Sequence, residues 1–186
     1  DTNGNLFSAK NAGGTNYETA KGITVDNSDN LYIAGYYAGT ATFDTATITS
    51  HIAMYSTSYS QDVFIAKYNN SGDLIWLQTA GGQRDNWANG IAVDALGNVS
   101  IAGVMEGDMY FGTYFLENNA PGVNFAYEDP FIAHYDSQGN FVWAMHGGAG
   151  YHDEAQDICV DPSGNIIATG NLHAATGDLP HFNDVY

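Results

Sequence analysis

Along most of the chain, apolar and polar residues alternate in short runs, and clusters of Asp, Asn, Ser and Gly separate one run from the next. Alternation with a period of two is the pattern of a half-buried β-strand, whose successive side chains point to opposite faces. It predicts strands over residues 21–26, 31–37, 62–68 and 74–79. The links between them read as tight turns. Asp26-Asn27-Ser28-Asp29-Asn30 joins the first pair, and Asn69-Asn70-Ser71-Gly72-Asp73 joins the second. Asp or Asn at the head of such a turn caps backbone N–H groups. Gly takes the left-handed position, and Asp29 stands in for it because Asp tolerates that conformation.

The pattern then recurs. Ile23-Thr24-Val25-Asp26 returns as Ile91-Ala92-Val93-Asp94 and as Ile158-Cys159-Val160-Asp161, at offsets of 68 and 67 residues. Asn30, Asn98 and Asn165 follow each Asp at one spacing, and Gly35, Gly103 and Gly170 follow at another. Asp62-Val63-Phe64-Ile65-Ala66-Lys67-Tyr68 returns as Asp129-Pro130-Phe131-Ile132-Ala133-His134-Tyr135. Each leads through a turn, at Gly72 or Gly139, into a strand bearing Trp76 or Trp143. The segment from Asn3 to Ser8 fits that last slot one period earlier.

Four antiparallel strands in each of several tandem units predict an all-β chain of β-propeller blades. The innermost strand fits this geometry. Ile23 and Val25, with their counterparts, face one way, while the small residues Thr24, Ala92 and Cys159 face the other. Sheets stacked around a narrow axis need that large-to-small pairing. The units run over residues 1–19 (outer strand of a preceding blade and its connection), 20–87, 88–154 and 155–186 (the first half of a blade). That amounts to about 2.75 repeats, against the 4–8 blades of a closed ring. The expectation is a partial propeller from a chain of roughly 400–550 residues, with the remaining blades as its first partners.

The run Gly-Gly, acidic or aromatic loop, Gly-Ile-Ala-Val-Asp, Gly-Asn, Ala-Gly, Asp-x-Phe-Ile-Ala-x-Tyr, Gly-Asn/Asp and Trp resembles the SBBP-type β-propeller repeat. Gly39-Thr40-Ala41-Thr42-Phe43 looks like a segment of its longer bacterial versions. The departures are few: Ser8 in place of the outer Trp, Asp157 in place of the inner-strand Gly, and Ala149 answering Gly14 and Gly82. The resemblance implies a large secreted or cell-surface bacterial protein and names no activity.

Charge narrows the partners. The 186 residues carry 4 Lys and Arg against 21 Asp and Glu, a net charge of -17. A phosphate-neutralising basic patch cannot be built from so few cations, which excludes nucleic acid. No apolar run is long enough for a transmembrane helix, so membrane insertion is not expected. With one cysteine there is no internal disulfide, and Cys159, aligned with Thr24 and Ala92, reads as a small buried position.

The connections from one unit to the next, Thr15–Glu18, Gln83–Trp87 and Gly150–Glu154, share a face with long insertions at about 38–61 and 104–128. Each insertion has room for an extra strand pair, near Thr40–Ile48 and Met109–Glu117. Loops on a rigid scaffold are where binding sits. The candidate binding residues are Tyr17, Glu18, Arg84, Asp85, Trp87, Tyr127, His152, Asp153 and Glu154. These loops read first as structural connections and second as a ligand face. Calcium at His152-Asp153-Glu154 is the one ion considered, but surface solvation is preferred because no DxDxDG loop is present. Asp26, Asp94 and Asp161 read as turn caps. No nucleophile motif, phosphate loop or zinc spacing occurs, so no catalytic residue, metal ligand or cofactor is assigned. The function expected is a non-catalytic extracellular structural or protein-interaction module; the alternative is a glycan-binding propeller of a carbohydrate-active or adhesin protein.

Overall fold

The computed structural model describes residues 3–6, 9–54, 56–118, 127–148, 152–173 and the backbone of 181–182. The first unit forms a four-stranded antiparallel sheet from β2 (Glu18–Val25), β3 (Leu31–Ala38), β6 (Gln61–Tyr68) and β7 (Leu74–Ala80), in that spatial order. The second repeats it with β8 (Asn86–Val93), β9 (Val99–Glu106), β12 (Glu128–Tyr135) and β13 (Phe141–Gly148). A third unit contributes the hairpin of β14 (Glu154–Val160) and β15 (Ile166–Asn171). Corresponding registers agree, with Ile23 opposite Ile33 and Ile91 opposite Ile101. All-β sheets of this form are consistent with a partial β-propeller.

The turns follow from local chemistry. Asp26 accepts the Ser28 and Asn30 backbone N–H groups at 2.8 and 3.0 Å, and the Asn30 amide closes on its other oxygen at 2.8 Å. The same clamp forms at Asp94, Asp136 and Asp161, while at Asn69 and Asp73 the two residue types exchange places. The left-handed position is filled by Gly72, Gly97, Gly139 and Gly164, and by Asp29 at φ 59°.

The first strand of each unit (β2, β8 and β14) begins earlier than alternation suggests. Each copy contains a bulge, between Ala20 and Gly22, Ala88 and Gly90, or Ala155 and Asp157. The unpaired extra residue (Lys21, Asn89 or Gln156) shifts the alternation and hides the first turn of the strand from a period-two reading. Glu18, Trp87 and Glu154 therefore lie on strands, not in loops. The strand expected near Leu6 is not formed by residues 3–6, and Phe7 and Ser8 lie outside the described residues. The strand that forms is β1 (Ala12–Gly14), which answers the end of β7 and the two glycines after it.

Both insertions contain the extra pair, as β4 (Thr40–Phe43) with β5 (Ala46–Thr49) and β10 (Met109–Phe111) with β11 (Tyr114–Leu116). Each hairpin docks on the end of the preceding unit's outer strand. β4 pairs with β1, β10 meets Gly81 just beyond β7, and β16 (His181–Phe182) pairs with the end of β13. The two insertion hairpins thus stitch their own sheets to the strand before them, and β16 makes the corresponding contact with β13.

The sheets bury alternate faces against each other. Val63, Ile65 and Tyr32 of the first sheet pack on Ile101, Phe131, Ala133 and Ile91 of the second, with Met109 and Phe111 from the insertion. The opposite side of the second sheet, Ala92, Ala102 and Ile132, packs on Ala155 and Ile158 of the third unit. Trp76 fills the outer wedge. Its ring lies edge-on to Tyr32 at 6.0 Å and its indole N–H donates to the Ser137 carbonyl at 3.4 Å. Cys159 is exposed, contrary to the expectation of burial. Its face of β14 has no further sheet packed on it among the described residues, whereas Ala92 at the same register is covered by the third unit.

β8 and β9 approach most closely beside the bulge. A Cβ on Gly103 would fall onto the Trp87 carbonyl oxygen and within 2.8 Å of Ala88 Cα, both main-chain atoms that cannot swing away. Gly103→Ala should therefore lower stability by about 2–3 kcal/mol. Leu96→Ala, in an exposed turn, should stay within about 0.5 kcal/mol. Urea unfolding of both variants checks the contrast.

Candidate functional site

Several buried polar groups gather where one sheet meets the next. At the first junction Asp62, at the head of β6, is buried beside Gly81. It accepts the His51 backbone N–H at 2.9 Å and lies 2.7 Å from His51 Nδ1. Burial raises its pKa, and the bonds from His51 oppose that rise. At the second junction Asp129 occupies the same register beside Gly148, and Asp153 turns in from the next unit. Asp153 is fully buried, so surface solvation is the wrong reading for it. Its backbone N–H donates to the Glu128 carbonyl at 2.7 Å, and its carboxylate accepts the His173 backbone N–H at 2.5 Å. The corresponding residue at the first junction, Asn86, is also fully buried.

Two buried carboxyl groups share the second junction. Burial, and then the Asp153 charge, push Asp129 up to about 7, against an opposing bond from Asn118. His146 Nδ1 lies 3.8 Å from Asp129 Oδ2, and burial depresses the His146 pKa, so that imidazole is a poor counter-ion. The turn aspartates behave oppositely. Burial works against the Asp26 carboxylate, but bonds from Asn30, Ser28 and Tyr32 outweigh it and hold its pKa at about 2.

The candidate binding residues do not converge on one cleft. Tyr17 is exposed, and its carbonyl accepts the Ala38 N–H. Asp85 is half-buried and ties the Gln61 N–H at 2.8 Å, while Arg84 lies against Gly107. Trp87 and Glu18 are half-buried on the inner strands. Tyr127 is half-buried, Glu154 opens β14, and His152 Nδ1 stands 3.2 Å from a Glu128 oxygen. Tyr151, Gly150 and Ala149 lie outside the described residues. Among the described residues no group of three or more His, Cys, Asp or Glu is arranged to hold a metal ion.

The face of the first sheet that looks away from the second carries a groove of about 810 Å³. Ala20, Leu31, Ile33, Phe43, Phe64, Ala66 and Tyr68 line it. Their counterparts in the second unit are Ala88, Val99, Ile101, Phe111, Phe131, Ala133 and Tyr135, all buried under the first sheet. Along the same face Ile23 is 68% and Val25 60% exposed, against 7% for Ile91 and 6% for Ile158. The signal for this surface was present in the sequence as the matched register of the repeats. An exposed aliphatic residue in one copy and a buried one in the next can be told apart only in three dimensions.

No protein-family profile matches the chain. It is 26% identical over 159 residues to an uncharacterized WD repeat-containing protein, L264, of Acanthamoeba polyphaga mimivirus, covering 82% of this chain and 11% of that protein. It is also 26% identical over 119 residues to the regulatory protein FlaEY of Caulobacter vibrioides, covering 64% of this chain and 12% of that protein. The chain therefore spans about a ninth of the length of these relatives. The likeness to a WD repeat-containing protein agrees with a β-propeller-like module.

The junction carboxyls set a pH dependence. An ordinary Asp has a pKa near 3.8, so between that value and about 7 the folded chain holds a proton on Asp129 that the unfolded chain has lost. The stabilisation from this proton is complete below about pH 4 and disappears as pH rises through 7. Asp26, lowered to about 2, contributes in the other direction and loses its stabilisation as pH falls below 3.8. Melting temperature should peak at about pH 4 and decline toward pH 7. Self-repulsion of the acidic chain adds to that decline. Asp129→Asn removes only the junction's share, so its decline should be smaller by a few degrees. Equal declines in the two proteins would show that Asp129 does not carry the effect.

Proposed function

We propose that this chain is a run of blades from a larger β-propeller that serves as a non-catalytic protein-interaction scaffold, in a secreted or cell-surface bacterial protein of the SBBP-repeat type. The observation that carries this reading is the groove on the first sheet. It repeats, residue for residue, a surface that one blade further on is filled by another blade. The β1 strand supports the same reading, because it stands in the register of a preceding unit's outer strand and is already stitched to β4. The SBBP-like motifs and the acid excess are the grounds for the bacterial and extracellular parts of the proposal. The WD repeat likeness is the ground for an interaction role.

Ile23 and Ile91 occupy one register and differ in what lies over them. Ile23→Ser should change stability by less than about 0.5 kcal/mol in the 186-residue chain. Ile91→Ser should cost about 3 kcal/mol or more. When residues 20–87 are duplicated in tandem, the downstream copy of Ile23 gains a blade in front of it, and its substitution should become as costly as that of Ile91. A downstream Ile23→Ser that remained silent would mean the face is not a seat for a blade.

A further inference from the structure

The insertion hairpins carry a surface that the blades do not need. On β10 and β11 the cross-strand partners Tyr110 and Phe115 are 45% and 44% exposed, with ring centroids 5.0 Å apart. His51, from the insertion of the first unit, stacks on Tyr110 at 6.5 Å and an interplanar angle of 24°. Beside it Ile52 and Tyr59 pair across an isolated bridge with both side chains exposed, and Met54 is tied by its N–H to the Gln83 carbonyl. His51 thus joins the aromatic pair of one arm to an arm that exposes further apolar residues just beyond it.

The first unit shows that the fold does not require it. The residues of β4 and β5 that answer Tyr110 and Phe115 are Thr42 and Thr47, whose hydroxyls bond each other at 3.3 Å. The inward-facing residues alternate with them and stay apolar in both units, Ala41 and Phe43 in one and Met109 and Phe111 in the other. Fold constraint therefore explains one side of the hairpin and not the other. Exposed aromatic clusters of this kind mark interaction surfaces.

The charge pattern selects the occupant. Asp108 and Glu117 flank the open end of the aromatic hairpin, and both are exposed. Of the four Lys and Arg residues, Lys10 pairs with Asp73, Lys67 with Asp26, Lys21 lies over Tyr36, and Arg84 lies against Gly107, where its charge favours that of Glu106. We propose that the patch formed by His51, Ile52, Met54, Tyr59, Tyr110 and Phe115 docks a protein segment that presents apolar side chains among Lys and Arg. The inference rests on the reading of this chain as an interaction scaffold and gives that scaffold a site and a partner chemistry.

Tyr110→Thr with Phe115→Thr converts the hairpin to the threonine pair that the first unit already folds with. Ile52→Thr with Tyr59→Thr clears the other arm and serves as the second variant. Random linear peptides displayed on phage are selected on the wild-type chain. The expected result is enrichment of sequences mixing aliphatic or aromatic residues with Lys and Arg. Their synthetic forms should bind at least about tenfold more weakly to both variants, and weaken again between about 0.05 and 0.5 M salt. Peptides that bind the variants as well as the wild type, or that lack basic residues, overturn the proposal, as does a selection that yields none. Retardation of the wild type in gels containing xylan, mannan or glycol chitin, abolished in the threonine variants, overturns it in favour of a glycan site. The tandem Ile23 measurement does not involve this patch, so the scaffold reading and the docking site fail independently.

Discussion

Each sheet in this chain buries both of its faces only when another sheet lies on either side of it. That single requirement organises the rest. At the inner strand the sheets touch main chain to side chain, and a Cβ on Gly22 would stand 2.9 Å from the Ile91 methyl, with one on Gly90 equally close to Asp157 Cα. Toward the rim the gap widens, and Tyr32 and Trp76 fill it against the turn at Ser137 and Gly139. A wedge that is thin inside and thick outside is what turns a stack of sheets into an arc. The Asn89 amide adds a polar contact across the second junction by donating to the Ala155 carbonyl at 2.9 Å.

Sheet stacking alone leaves two problems, and the insertions answer both. Outer strands present unpaired edges, and edges invite the wrong partners. The two hairpins, and β16 in the third unit, cover the ends of outer strands and tie them to the following sheet through β1–β4, Gly81–Tyr110 and β13–β16. The second problem is the polar backbone at the loop end of each junction. Asp62 and Asp129 sit there because the insertions and the next unit's entry bring donors to them. Where that entry supplies Asn86 the junction holds one carboxyl, and where it supplies Asp153 it holds two. Junctions built on the same backbone thus differ in their dependence on protonation.

Local chemistry was the legible part. The Asx turns, the glycines at their left-handed positions and the strands between them depend on residues a few positions apart, so the sequence pattern located them closely. Even the substitution of Asp29 for glycine was readable, because it follows from one residue's own conformational range. The existence of the insertion hairpins was legible from spacing, but their docking was not, since it depends on a strand end about 30 residues away. The bulges escaped because an unpaired residue resets the alternation from which strands are read. That is why period-two alternation leaves Trp87, Glu18 and Glu154 in the connections although they lie on strands. Burial of Asp153 and exposure of Cys159 depend on whether a neighbouring sheet is present, which one strand's sequence does not encode.

Comparison among the copies separates what the fold demands from what it merely tolerates. Positions that face a neighbouring sheet keep their character: Phe64 matches Phe131, Ala66 matches Ala133, and Tyr68 matches Tyr135. A change there would alter the thickness of the wedge and so the angle between blades. Positions on the outer side of the insertion hairpins are released from that constraint, and Thr42 becomes Tyr110 while Thr47 becomes Phe115. The inner side of the same hairpin stays apolar because it still seals the junction. One three-residue strand therefore carries both kinds of position in alternation. A repeat protein built this way can acquire a recognition surface one hairpin at a time without disturbing the stacking that holds its blades together.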